Sequence, residues 1–203
     1  MIKKYAIIAA MSACISNVAI ADTFNYSSLN IGYESFSQEI DGISEDLDGN
    51  GLSLGVSFGI NDNVALIFEY TSGSADISSS GVTVDMDINA TLIGAYYHTP
   101  INKKTDVILG AGLLQGTVDV SANGSSVGSE DVDGHLIRAG IRSMVSDKVE
   151  LNIFLDQSYI EDDSDSDITL GGAFYLQEDL SLNATFTNES DGSSTTFSIS
   201  KKF

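Results

Sequence analysis

One cysteine, one proline and no tryptophan occur in 203 residues, and nine lysines and arginines stand against 29 aspartates and glutamates. Each scarcity removes a class of protein. A formal charge of −20 excludes a nucleic-acid binder, because phosphate contacts need a basic face. A lone cysteine excludes a disulfide scaffold and a cysteine zinc site. Charged residues make up 19% of the chain against 42% hydrophobic, a balance that argues against disorder. Long apolar runs are missing too. Beyond the N-terminus the longest is about Val107 to Leu114, far short of the roughly 20 residues a spanning helix needs. One ordered domain remains, and any meeting with a membrane has to be made without helices.

The first segment reads as an address. Lys3 and Lys4 precede a mostly apolar stretch from Tyr5 to Val18, and Ala19-Ile20-Ala21 supplies small residues two apart, the pattern a signal peptidase reads. The spacing predicts a signal peptide over residues 1–21 and a mature domain over 22–203. Cys14 leaves with the peptide. A competing reading makes Met11-Ser12-Ala13-Cys14 a lipoprotein site, although the hydrophobic region before it is very short.

From residue 22 onward the hydrophobic period is two. Leu52, Leu54, Val56, Phe58 and Ile60 alternate with Ser53, Gly55, Ser57 and Gly59. Leu151, Ile153 and Leu155, and then Leu180, Leu182, Ala184 and Phe186, repeat the pattern. Such alternation marks two-faced strands. Weaker copies, among them Met86, Ile88, Ala90, Leu92 and Tyr96, bring the count to ten, near 24–36, 51–60, 64–73, 84–98, 105–117, 133–144, 149–160, 167–176, 180–188 and 194–203. Eight is the alternative if one strand has been split. Short connections alternate with long polar ones at 37–50, 74–83, 118–132, 161–166 and 189–193, the layout of an up-and-down antiparallel barrel. Parity supports it. Ile60 opposite Val64 and Leu176 opposite Leu180 keep the apolar sets on one side. Between the fourth and fifth strands apolar parity switches from even to odd, which suits the six residues Thr99 to Lys104.

A soluble sandwich also alternates, so the choice of medium rests on other signs. The polar face is mostly Ser, Thr, Asn, Gly and Ala, suited to a narrow barrel interior. Ten residues at roughly 3.3 Å, tilted about 45°, rise roughly 23 Å, close to a lipid-spanning band. Phe24, Tyr26, Tyr70, Tyr96, Tyr97, Tyr159, Phe174, Tyr175 and Phe203 gather near strand ends, as in interfacial girdles. The final segment, Thr195 to Phe203, alternates and stops on an aromatic residue, with Lys201 interrupting the pattern. On Phe197, Ile199 and Phe203 the chain resembles the small outer-membrane β-barrel proteins, the porin-like group of OmpA-type and opacity-type barrels. The resemblance spans about residues 23–203. It implies an all-β transmembrane barrel in the outer membrane of a Gram-negative bacterium, with a terminal strand recognised during assembly.

Few charges fall on the expected inward face: Glu69, Asp87, Arg138, Arg142, Glu150 and Asp156. Arg138 and Arg142 are four apart and share a face. An even pairing sum of 292 or 294 with the next strand sets Arg142 opposite Glu150 or Asn152, and the second choice sets Arg138 opposite Asp156. Charge in a narrow lumen is costly unless paired, so an arginine–carboxylate network is expected; the alternative is a lining for a water-filled pore. Ile67, Ile93, Phe154 and Tyr175 partly fill that lumen. Acidic residues concentrate in the long connections and should attract divalent cations such as the Mg²⁺ or Ca²⁺ that bridges lipopolysaccharide. Asp46-Leu47-Asp48-Gly49-Asn50-Gly51 matches the opening of a calcium loop, here read as a turn with Asp46, Asp48 and Asn50 as weak ligands. Its twelfth position is Ser57 rather than Glu, so the bidentate ligand is missing.

Enzymatic activity finds little support. The only histidines, His98 and His135, show no pairing with a serine or a carboxylate dyad. The expectation is a monomeric barrel with a structural or surface-interaction role and at most a narrow cation-preferring passage. Its partners are lipid, lipopolysaccharide and the barrel-assembly machinery. A small diffusion porin and a secreted soluble β-sandwich or lipoprotein are the alternatives.

Overall fold

The computed structural model describes residues 24–39, 46–79, 81–161 and 163–203. The signal peptide and the acidic residues Asp41, Glu45 and Asp162 lie outside them. The strands are β1 (Ser28–Gln38), β2 (Leu47–Asn61), β3 (Val64–Ser79), β4 (Val82–Asn102), β5 (Thr105–Ala122), β6 (Ser125–Ser146), β7 (Val149–Ile160), β8 (Asp163–Gln177), β9 (Leu180–Glu189) and β10 (Gly192–Lys202). Each pairs antiparallel with its sequence neighbours, and β10 closes on β1 with Ile31 opposite Ile199 and Tyr33 opposite Phe197. Closure removes every unpaired edge. The count is ten, not eight, and because it is even both described chain ends lie on the same side, the periplasmic side in barrels of this type.

The four turns on that side share one design. Each leaves two residues between strands, and each adjoins a register shift of one residue, at Asn61, Asn102, Ser146 and Gln177. At three of them a short polar side chain closes the turn by accepting a hydrogen bond from the backbone N–H two residues on. Asn61 Oδ1 accepts from Asn63 at 2.9 Å, Asn102 Oδ1 from Lys104 at 2.8 Å and Ser146 Oγ from Lys148 at 3.3 Å. This is what Asn and Ser do in turns.

The opposite ends differ from the sequence expectation. Most of the segments read as long loops are continuations of strands. β4 runs for 21 residues and β6 for 22, whereas β9 has 10. At roughly 3.3 Å per residue and a tilt of about 45°, 21 residues rise about 49 Å, twice the ~25 Å apolar band. A wall formed by β3–β6 therefore stands above the membrane. Its β5–β6 tip is an Asn123-Gly124 turn with φ of 49° and 75°, the left-handed pair a tight hairpin requires.

Along that wall the faces invert. In the lower part of β4, Tyr97 and Ile93 point outward to lipid. Higher up, Asp87 and Asp85 point outward, and Met86, Ile88 and Leu92 are buried within. These apolar residues join Phe36, Leu47, Ile77, Leu114, Val118 and Val132 in one continuous core. The physical reason is the medium: above the membrane the outside is water, so the apolar side chains turn inward as in a soluble barrel.

This overturns several expectations. Met86, Ile88, Ala90, Leu92 and Tyr96 face the lumen rather than lipid, while Asp87 and Ile93 face outward, Ile93 being 57% exposed. β4 and β5 pair with Tyr97 opposite Leu109, so outward parity is odd in both. The switch lies between β3 and β4, where Leu66 opposes Ala95 and Phe68 opposes Ile93. Of the aromatic residues read as a girdle, Phe24, Tyr26, Tyr96 and Tyr175 are buried inside. The supposed calcium turn is strand. Residues 48–50 pair with both β1 and β3, so Asp48 and Asn50 point outward side by side rather than curling round an ion, and Ser57 points into the lumen.

Candidate functional site in the barrel lumen

The lumen has two unlike walls. β8, β9, β10, β1 and the lower part of β2 contribute mainly small side chains such as Ser57, Thr169, Thr187, Thr196 and Ser200, with Glu34, Phe36, Tyr175 and Glu189 among the larger ones, all buried. β3–β7 contribute large ones that fill the space between. Glycines make room for the rings. Phe36 lies opposite Gly49, Tyr96 opposite Gly110 and Phe154 opposite Gly140 on neighbouring strands. A Cβ on Gly110 would sit 2.2 Å from a Tyr96 ring carbon, so that ring lies flat across the glycine, as aromatic–glycine pairs do in barrels.

Two arginines cross this interior at different heights. Arg138 lies directly opposite Asp156, the register with a pairing sum of 294. Arg138 donates from Nε to Oδ1 at 2.6 Å and from Nη2 to Oδ2 at 2.7 Å. Both residues are buried, and the fork geometry is the strongest an Arg–carboxylate pair offers. Its guanidinium sits 4.5 Å from the Phe154 ring centroid and donates from Nη1 to Tyr96 Oη at 3.4 Å. Asp156 Oδ2 also accepts from Thr169 Oγ1 at 3.2 Å. Glu69, buried on β3, lies within electrostatic reach of both Arg138 and Asp156.

Arg142 lies opposite Asn152 and reaches along β7 to Glu150, donating to Oε1 from Nε at 3.0 Å and from Nη2. Tyr175 Oη donates to the other oxygen of Glu150 at 2.7 Å. The Arg142 guanidinium stacks 4.7 Å from the Phe24 ring centroid, a cation–π contact that grows stronger when water is excluded. Close by, Tyr26 Oη donates to Asp106 Oδ2 at 3.3 Å, and the Tyr26 and His98 rings stack at 3.5 Å. Glu69, Arg138 and Asp156 therefore form one group, and Arg142 with Glu150 another nearer the periplasm.

Sequence reasoning passed over Glu34, His98, Asp106, Asp167 and Glu189, all buried. For Glu34 the signal was present, since its parity is opposite to that of Leu29, Ile31 and Tyr33. His98 was masked by the wrong face assigned to β4, whereas Asp106 on β5 has parity opposite to Val107 and Leu109 and carried the same signal as Glu34. Phe197, Ile199 and Phe203 are exposed on the lipid side. The Phe203 ring meets Phe58 edge-on at 5.7 Å, and its backbone oxygen accepts from Asn25 Nδ2 at 3.0 Å, so the last residue seals the seam between first and last strands. Asp46 is exposed at the start of β2. Among the described residues no three His, Cys, Asp or Glu side chains are placed to hold a metal ion.

A closed antiparallel cylinder with an apolar outer band and a filled, ion-paired interior defines an integral barrel of a bacterial outer membrane. The chain belongs to the outer membrane protein beta-barrel domain family, whose sequence pattern matches residues 6–200, and its place is the outer membrane of a Gram-negative bacterium. The translocator domain of the autotransporter NalP from Neisseria meningitidis is similar in fold, with 10% identity, a TM-score of 0.56 and coverage of 100% of this chain and 95% of that one. So is the transport unit of the autotransporter AIDA-I from Escherichia coli, with 10% identity, a TM-score of 0.56 and coverage of 98% of each chain. Ail, the attachment invasion locus protein of Yersinia pestis, is 16% identical, with a TM-score of 0.45 and coverage of 87% of this chain and 95% of that one. No curated protein matches the sequence.

Proposed function

We propose that this barrel works through its outer surface, as a structural and surface-contact element of the outer membrane, and that its lumen is closed. The observation that carries this reading is the filling of the interior. Leu92, Ile108, Leu114, Arg138 and Arg142 are each no more than 1% exposed, leaving the apolar core above and the paired arginines below to occupy the cross-section. A lumen lined for conduction keeps its charges wet; here Arg138 with Asp156 and Arg142 with Glu150 are buried and paired. Reconstitution in planar bilayers tests this. Protein shown to be folded by heat-modifiable gel migration should give no stepwise currents, and regular cation-selective or non-selective steps would favour a narrow passage or a small diffusion porin instead.

The surface that remains is acidic. Above the apolar band Asp48, Asp76 and Asp85 are direct cross-strand neighbours facing outward, and Asp87 lies opposite Asp119. The described lysines and arginines lie in the lumen or at the periplasmic end. Lipopolysaccharide phosphates accordingly meet this wall through Mg²⁺ or Ca²⁺ rather than through basic side chains. The reading includes export by residues 1–21, recognition of Phe197, Ile199 and Phe203 by the assembly machinery, and a monomer in the membrane.

A further inference from the structure

Glu34, Gln38 and Glu189 belong to neither arginine group, yet they are buried to 1%, 1% and 4% exposure. They sit at the extracellular end of the short wall of the lumen. Gln38 ends β1, Glu189 ends β9, and both pair with Gly192 on β10, so no side chain separates them. Glu34 faces the lumen four residues below Gln38 on the same strand. The row between holds Phe36, Ser194 and Thr187. The Phe36 ring lies over Gly49 on β2, the side away from β10, which leaves the hydroxyl groups of Ser194 and Thr187 between the two glutamates. Glu34 lies within electrostatic reach of Glu189, a second acidic group in the same buried space. The lumen arginines are paired with Asp156 and Glu150, and the five described lysines lie at the periplasmic end. Glu34 Oε1 and Gln38 Oε1 are buried without a hydrogen-bond partner among the described residues, a costly arrangement for oxygen acceptors unless a cation or its water meets them.

We propose that Glu34, Gln38 and Glu189 hold one Mg²⁺ ion that keeps part of its water shell. The donors select the ion. Two carboxylates and an amide carbonyl are hard oxygen ligands, which suit magnesium or calcium and not the softer metals. Calcium gathers about six to eight oxygen ligands, whereas magnesium retains several waters and is held by one or two carboxylates. The retained waters donate to Gln38 Oε1 and to the hydroxyl oxygens of the wall, and the two glutamates supply the balancing charge. Entry is from outside the cell. Glu39 and Asp191 are exposed on the rim beside the site, where the Glu39 N–H donates to the Asp191 carbonyl at 2.7 Å, and their negative charge draws cations towards it.

The test is calorimetric titration of the detergent-folded, chelator-treated barrel with magnesium chloride at neutral pH, alongside the temperature at which the folded gel band is lost. One Mg²⁺ should bind tightly per chain and raise that temperature. Glu34→Gln and Glu189→Gln should each weaken binding about tenfold, equivalent to about 1.4 kcal/mol. Each should also raise the melting temperature of the metal-free barrel, because one of two neighbouring buried acidic groups is gone. Asp85→Asn on the outer wall should change neither result. Binding undiminished in both glutamine variants puts the ion on the acidic outer wall and overturns the site. A wild-type barrel that takes up no Mg²⁺ satisfies its glutamates with a shared proton, which overturns the cation. Tighter binding of calcium chloride than of magnesium chloride overturns the choice of ion. Should Glu34→Gln fail to fold, Glu189→Gln at the strand end decides.

Discussion

Removing the positive partner of the upper ion pair should be among the most damaging single changes in the lumen, and restoring neutrality should undo most of the damage. Arg138→Met keeps a long apolar stem against Phe154 but leaves the buried Asp156 carboxylate with the Thr169 hydroxyl in place of a guanidinium. It also strips Glu69 of its positive neighbour. Two charge-assisted hydrogen bonds of 2.6 and 2.7 Å disappear with the guanidinium. Breaking a buried pair by deleting one member costs about 3–5 kcal/mol. With a urea slope of about 2 kcal/mol per molar, the unfolding midpoint should fall by about 2 M. Arg138→Met combined with Asp156→Leu places two apolar side chains opposite each other in the same register. It should recover most of that loss, because apolar replacements of buried pairs are often neutral or stabilising. Urea titration in detergent, followed by the gel shift between folded and unfolded barrel, measures all three proteins. If the single variant stays within about 0.5 kcal/mol of wild type, or the double variant is no better than the single, charge compensation does not brace this barrel.

Gly110→Ala should lower the temperature at which the folded band is lost, since overpacking of this kind costs about 1–3 kcal/mol and the added methyl lies 2.2 Å from the Tyr96 ring; an unchanged melting temperature would mean the ring is free to leave. The inversion of β4 is checked by introducing tryptophan into a chain that has none. In vesicles of brominated lipid, Ile93→Trp should be strongly quenched and Asp87→Trp should not. Equal quenching at both sites would mean that the wall lies in the membrane rather than above it.

Much of the architecture was legible because it depends on local pattern. The alternation in β2, β7 and β9 is strict, and the registers across the β2–β3 and β8–β9 turns follow from it, up to the one-residue shift that Asn61 and Gln177 introduce. Arg138 and Arg142 share a face by spacing alone. Other features were hidden by the assumption that polar segments are loops. The segment 118–132 contains Asn123-Gly124, the strongest short hairpin signal there is, yet its Ser, Asp and Gly content read as a long connection. Asp46 to Gly51 was hidden in the same way: the ligand-like spacing of a calcium loop and the outward face of a strand both place polar residues at every second position.

Composition, period and spacing by themselves determined that the strands are two-faced and antiparallel in sequence order and which residues along a strand share a face, and they narrowed the count to ten or eight. They could not determine which face meets which medium. Met86, Ile88 and Leu92 form as regular an alternation as Leu52, Leu54 and Val56, and exchanging inside for outside leaves such a pattern unchanged. Only the closed barrel decides. It sets the height of each residue along the axis, and that height decides whether the outward neighbour is lipid, which draws apolar side chains out, or water, which drives them in.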